Sequence, residues 1–163
     1  MLVWMLAAAM ASPPSANTMA TDGPYRVAGQ SGHARHTHGG KAAKLSSATF
    51  KVEFEGMKLP TTLTANQVEF LTGHDCDAIP TTVRSTFAPT GLRVEELDAT
   101  ESSPEVSLVP GTSTVRVSFA PVDATYTHCD FFAFRVTFVA GGDTTLVATA
   151  ETRVMRVTPI RRP

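Results

Sequence analysis

The sequence predicts an all-β domain, an antiparallel β-sandwich of seven to eight strands. Three observations carry this. Apolar and polar residues alternate with a period of two in run after run. Prolines fall between the runs, where a missing N–H does not interrupt a ladder. Ala140–Asp143, "AGGD", joins two strong runs and reads as a hairpin turn.

Residues 1–11, "MLVWMLAAAMA", are entirely apolar, and Ala9-Met10-Ala11 forms an A-x-A site before Ser12. This is the pattern of a secretory signal, with cleavage placed between residue 11 and about residue 20. It lacks the usual preceding Lys or Arg, and at 11 residues it is too short for a membrane span. Residues 12–47 are rich in Ser, Gly, Pro, Ala and His and show no apolar periodicity. They are expected to form a disordered linker, with one folded domain over 48–163.

Within that domain, "TFKVEFE" sets Phe50, Val52 and Phe54 against Lys51, Glu53 and Glu55. "NQVEFL" (66–71) and "EVSLV" (105–109) are shorter strand candidates. "TTVRSTFAP" (81–89) places Val83, Ser85 and Phe87 on one face and Arg84 and Thr86 on the other. "GLRVEELDATE" (91–101) reads as a strand or one helical turn. "STVRVSFAP" (113–121) alternates Val115, Val117 and Phe119 with Arg116 and Ser118. "FFAFRVTFV" alternates Phe132, Phe134, Val136 and Phe138 with Arg135 and Thr137. "TTLVATAETRVMRVTPI" supplies one long strand or two short ones. Pro60, Pro80, Pro89, Pro104, Pro110, Pro121 and Pro159 are all expected between strands. So many antiparallel strands need closure or a second sheet. A sandwich, immunoglobulin-like in the broad sense, fits best; an eight-stranded barrel is the alternative.

The chain has 163 residues and two cysteines, Cys76 in "GHDCDAIP" and Cys129 in "THCDFF". In an oxidising compartment one intramolecular disulfide is expected. It would close a loop of 54 residues, counted inclusively, and lock two strands, in one sheet or across the two. The chain-entropy model gives roughly 4 kcal/mol for such a loop. Around the cysteines stand His74, Asp75, Asp77, His128 and Asp130. Imidazole plus carboxylate suits a divalent metal, so a metal patch is the second reading of these segments. A four-thiolate zinc site and a C-x-x-C redox centre both fail on cysteine count.

His33, His36 and His38 form a short His-rich tract in the linker, read as solvated. "GQSGH" (29–33) resembles the surroundings of a nucleophilic serine only faintly and stands on no rigid scaffold. "TTVRSTFAP" and "STVRVSFAP" share six of nine positions, which puts Arg84, Arg116 and Arg135 on polar strand faces beside hydroxyls. Were their strands adjacent, these arginines would make an anion-binding surface. The simpler reading pairs each with a cross-strand acid such as Glu53, Glu55 or Glu151.

Residues 48–163 hold ten Lys/Arg and fourteen Asp/Glu, a balance that argues against nucleic acid as partner. No later run is long and apolar enough for a membrane span. Neither a phosphate loop nor a triad stands on a recognisable scaffold. The sequence therefore points to a non-enzymatic binding or assembly protein, secreted, periplasmic or on a cell surface, with a protein or cell-surface partner and no cofactor. A small-ligand or metal-binding protein and a hydrolase are the rivals.

Overall fold

The computed structural model describes residues 18–30, 32–35, 42–56, 61–72, 82–97, 103–125 and 131–155. These form eleven strands: β1 (Met19–Asp22), β2 (Tyr25–Gly29), β3 (Gly32–Arg35), β4 (Ala42–Phe54), β5 (Thr61–Thr72), β6 (Thr82–Phe87), β7 (Gly91–Val94), β8 (Glu105–Leu108), β9 (Gly111–Thr125), β10 (Phe131–Ala140) and β11 (Thr144–Met155). Sheet A has the order β1-β2-β4-β9-β7; sheet B has the order β3-β11-β10-β5-β6, with β8 also pairing β5. Every pairing is antiparallel except β3 with β11.

The two sheets stay separate, so the molecule is a sandwich and not a barrel. Strands β2-β4-β9-β7 follow the A-B-E-D order of an immunoglobulin sandwich, and β11-β10-β5-β6 follow G-F-C-C′.

The core follows from the alternation. Phe50, Val52 and Phe54 of β4 and Val115, Val117 and Phe119 of β9 point inward from sheet A. Phe132, Phe134, Val136 and Phe138 of β10 meet them from sheet B. Phe50 and Phe138 touch edge to face across the sandwich, with centroids 5.2 Å apart, and Phe119 and Phe134 lie 4.6 Å apart. Burying each such side chain stabilises by about 1.5–3 kcal/mol. The two similar segments sit in opposite sheets, and their phenylalanines, Phe87 and Phe119, meet in the interior at 5.2 Å.

Several expectations need correcting. The ordered domain begins well before Ala48. β1 and β2 form a hairpin, and Tyr25 and Val27 belong to the core. Tyr25 stacks on Phe54, and its hydroxyl meets Thr61 Oγ1 at 2.9 Å. A five-residue strand carries too little periodicity to be seen alone; its order comes from pairing with β4. Gly29 is required there, because an added Cβ would lie 2.0 Å from the Thr149 carbonyl oxygen of β11. Over residues 91–97 the segment gives the strand expected of it, four residues long, followed by a turn at Glu95-Glu96.

Pro121 lies inside β9, not between strands, but it sits where the β4–β9 register shifts, so no ladder bond is lost. Val83 does not face the core. The β5–β6 register jumps from Phe70↔Ser85 to Leu71↔Val83, which leaves Arg84 as a bulged residue and turns Val83 outward, 41% exposed. The "AGGD" hairpin is as expected, with Gly141 and Gly142 at φ of 61° and 88°, values that side-chain-bearing residues rarely adopt.

Candidate binding surfaces

Alternation gives each sheet an outer face. On sheet A that face is built of opposite charges. Arg26 stands across from Glu53, Thr49 from Arg116, and Arg116 from Arg93. Arg26 pairs with Glu55 at 3.4 Å and Lys51 with Glu53 at 3.2 Å. Glu95 takes both Arg93, at 3.4 Å, and Arg116, at 2.7 Å. Glu96 accepts the Thr114 backbone N–H at 3.0 Å. Hydrogen bonds from its own N–H and from that of Thr114 hold the Glu96 carboxyl below the usual glutamate range.

The outer face of sheet B differs. Across β5, β10 and β11 the rows read Thr64–Val139–Thr145, Gln67–Thr137–Val147 and Glu69–Arg135–Thr149. Hydroxyls and β-branched methyls dominate, and Val147 is 42% exposed. Arg135 pairs with Glu69 directly across the ladder, and this bond holds the Arg135 guanidinium above its ordinary value.

The free edges are short or blunted. β1, β3, β7 and β8 have four residues each, and β6 has six with the Arg84 bulge. On β7 the Leu92 N–H is taken by the Ser103 carbonyl at 2.9 Å. Short, bulged or capped edges resist strand addition.

The three arginines singled out from the sequence are not brought together. Arg84 and Arg135 lie in sheet B and Arg116 in sheet A, on the opposite side of the molecule. Arg135 and Arg116 each meet a cross-strand acid, though the acids are Glu69 and Glu95 and not Glu53, Glu55 or Glu151. Arg84 Nε donates to Thr72 Oγ1 at 2.9 Å. Arg93, Glu69 and Glu95 escaped the sequence reading because their roles depend on register. Glu69 comes opposite Arg135 only after a register shift that leaves Asn66 unpaired in β5.

Cys76, Cys129, His74, Asp75, Asp77, His128 and Asp130 lie outside the described residues, as do His36 and His38. The strands that lead to the cysteine segments are described. β5 and β10 are hydrogen-bonded neighbours, and Thr72 pairs with Phe132. Cys76 comes four residues after Thr72 and Cys129 three residues before Phe132. The strands flanking the two segments are thus adjacent in one sheet, not on opposite sheets. Among the described residues, no three His, Cys, Asp or Glu side chains cluster as a metal site would require. An open hollow of about 310 Å³ lies at the end of β4, lined by Glu53, Phe54, Glu55, Gly56, Pro110, Gly111 and Thr112. Its two carboxylates are each in an ion pair, and no histidine lines it. No described helix is long and apolar enough to cross a membrane.

No family model matches the sequence, and no curated protein matches it. Among solved structures, murine CRIg is 13% identical, covering 82% of this chain and 100% of its own, with a TM-score of 0.27. That score is too low to argue from, so the immunoglobulin-like assignment rests on strand order.

Proposed function

We propose that this protein is an exported, non-enzymatic β-sandwich that binds a protein partner through the outer face of β5, β10 and β11, with Cys76 and Cys129 joined in a disulfide. The observation that carries the binding reading is the contrast between the outer faces. One sets acids against cations in a pattern suited to water, Arg26 with Glu55, Lys51 with Glu53 and Glu95 with Arg116. The other offers threonine and valine on the longest paired strands of sheet B, with Val147 exposed near its middle. Because the edges are short or blunted, a face is favoured over strand addition as the mode of contact.

Export is supported by the apolar opening and its A-x-A site. The disulfide is supported by the Thr72↔Phe132 pairing, which starts both cysteine segments from neighbouring strands. Cα atoms must come within about 7 Å for such a bond, and so few residues from one strand pair meet that readily. The same pairing favours, as a second reading, a divalent metal held by His74, Asp75, Asp77, His128 and Asp130.

Two experiments test this. An intact mass of the mature protein should start near Ser12 and be two hydrogens light, refusing alkylation until reduced. A full-length chain with two free thiols would overturn export and disulfide together, and bound metal by elemental analysis would favour the second reading. For the binding face, Val147→Asp should release the protein from the surface of the cells that make it, while Lys51→Glu leaves it in place. Equal behaviour of the two variants would overturn the assignment of the face.

A further inference from the structure

The charge pairing on sheet A has one local imbalance. Arg93 of β7 stands directly opposite Arg116 of β9. Like charges in that position destabilise a sheet unless something neutralises them. The one carboxylate bridging both is Glu95. Glu95 lies 2.7 Å from Arg116 Nε and accepts from Arg116 Nη2 and Arg93 Nη2, each at 3.4 Å, while the Nε of both arginines is buried without a hydrogen-bond partner. Glu96, the next acid along, directs both carboxylate oxygens to the Thr114 N–H, at 3.0 and 3.3 Å. Elsewhere on this face Lys51 pairs with Glu53 and Arg26 with Glu55, one acid to each cation.

We propose that Arg93 and Arg116 form a binding site for a carboxylate presented by an acidic peptide segment of a partner protein. A guanidinium fork matches a planar carboxylate through two parallel N–H···O bonds. Here two forks share a single internal carboxylate at one side, and their side chains are 34% and 40% exposed, which leaves them open to a ligand from solvent. Leu97, four residues along the chain from Arg93, is 57% exposed, and its N–H bonds the Val94 carbonyl at 3.1 Å, an apolar side chain at the end of the same strand and turn. A peptide can place an apolar side chain next to its acid and use both features. An acidic polysaccharide offers the carboxylate without an apolar side chain to cover Leu97. This site rests on the binding-protein reading for its kind of partner, but it lies on the opposite face from β5, β10 and β11.

The test is a titration of isotope-labelled protein, followed through arginine Nε–H resonances. The probes are a capped Ala-Glu-Leu-Glu-Ala peptide, its Gln-for-Glu counterpart and an oligoglucuronate. The acidic peptide should shift Arg93 and Arg116 selectively, with Arg26 and Arg135 unmoved, and the effect should weaken with salt. Arg93→Gln should lower affinity roughly tenfold or more, and Arg93→Lys, which keeps the charge but loses the fork, should lower it as well. Equal shifts with the neutral peptide, tighter binding of oligoglucuronate, uniform shifts at all arginines, or no shift would each overturn the site. The titration reports on sheet A alone. Its failure with cell-surface retention still sensitive to Val147→Asp would leave the sheet B reading standing, and the reverse result would separate them the other way.

Discussion

The outer faces of the two sheets are made by the same backbone geometry and the same period-two rule, yet they present opposite chemistry. Sheet A shows water a set of paired charges, Arg26 with Glu55, Lys51 with Glu53, and Arg93 and Arg116 with Glu95. Sheet B shows Thr64, Thr137, Val139, Thr145, Val147 and Thr149 around the ladder pair of Arg135 with Glu69. Exposed ion pairs contribute about 0–1 kcal/mol each, so stability alone gives little reason to concentrate them on one side. The difference teaches where desolvation is cheap. Hydroxyls and methyls can be covered by a partner with little penalty, whereas charges resist it unless they are paired anew.

Both faces hang on one interior, so the largest effect should strike both at once. Phe134 is fully buried and touches Phe70 and Phe119. Phe134→Ala should destabilise the domain by about 3–5 kcal/mol, read from denaturant melts. Survival of either sheet's exchange protection after global loss of the other would break the picture of one cooperative core.

Next in size is the disulfide. If Cys76 and Cys129 are joined at the end of β5 and β10, reduction should lower the melting temperature, with a loss of roughly 4 kcal/mol. Cys129→Ala should do the same and should not add to reduction. Hydrogen exchange should place the weakening in sheet B first. A melting curve indifferent to reductant would remove the disulfide from the account.

Smaller still is the ladder pair of sheet B. Glu69→Ala should cost about 1 kcal/mol and be partly recovered in the double variant with Arg135→Ala, as a double-mutant cycle would show. Additive losses would mean that the two side chains do not couple. Val147→Asp, on the same face, should stay within about 0.5 kcal/mol of the parent, because its site is exposed and its expected effect is on binding.

The smallest effect belongs to sheet A. Glu96 is fully exposed and has a lowered folded-state carboxyl value. A depressed carboxyl adds stability above its unfolded value, and that stability is lost as the pH falls through the folded one. Acid melts of Glu96→Gln should therefore lose less stability than the parent below the ordinary glutamate value of about 4.3. Identical acid limbs would show that the Thr114 contact does not persist in solution.

Much of the fold was legible because alternation reports burial directly. Phe50-Val52-Phe54, Val115-Val117-Phe119 and Phe132-Phe134-Val136-Phe138 all point where the period of two places them. What escaped was long-range. β2 reads as linker because a five-residue strand gains its order from β4, not from its own sequence. Val83 reads as core because the bulge at Arg84 is a property of pairing with β5. The candidate sites were harder for the same reason. Arg116 and Arg135 were visible as outward cations, but their partners Glu95 and Glu69, and the opposition of Arg93 to Arg116, exist only in the register. The similarity of the two nine-residue segments said nothing of their pairing: they lie in opposite sheets and meet through Phe87 and Phe119.

The contrast between the faces is tested most directly by site-specific photocrosslinking in the cells that make the protein. A photoreactive residue would stand at Val147 in one variant and at Lys51 in another. The account predicts a discrete protein adduct from Val147 and none of that species from Lys51. The same adduct from both positions, or an adduct from Lys51 alone, would contradict it.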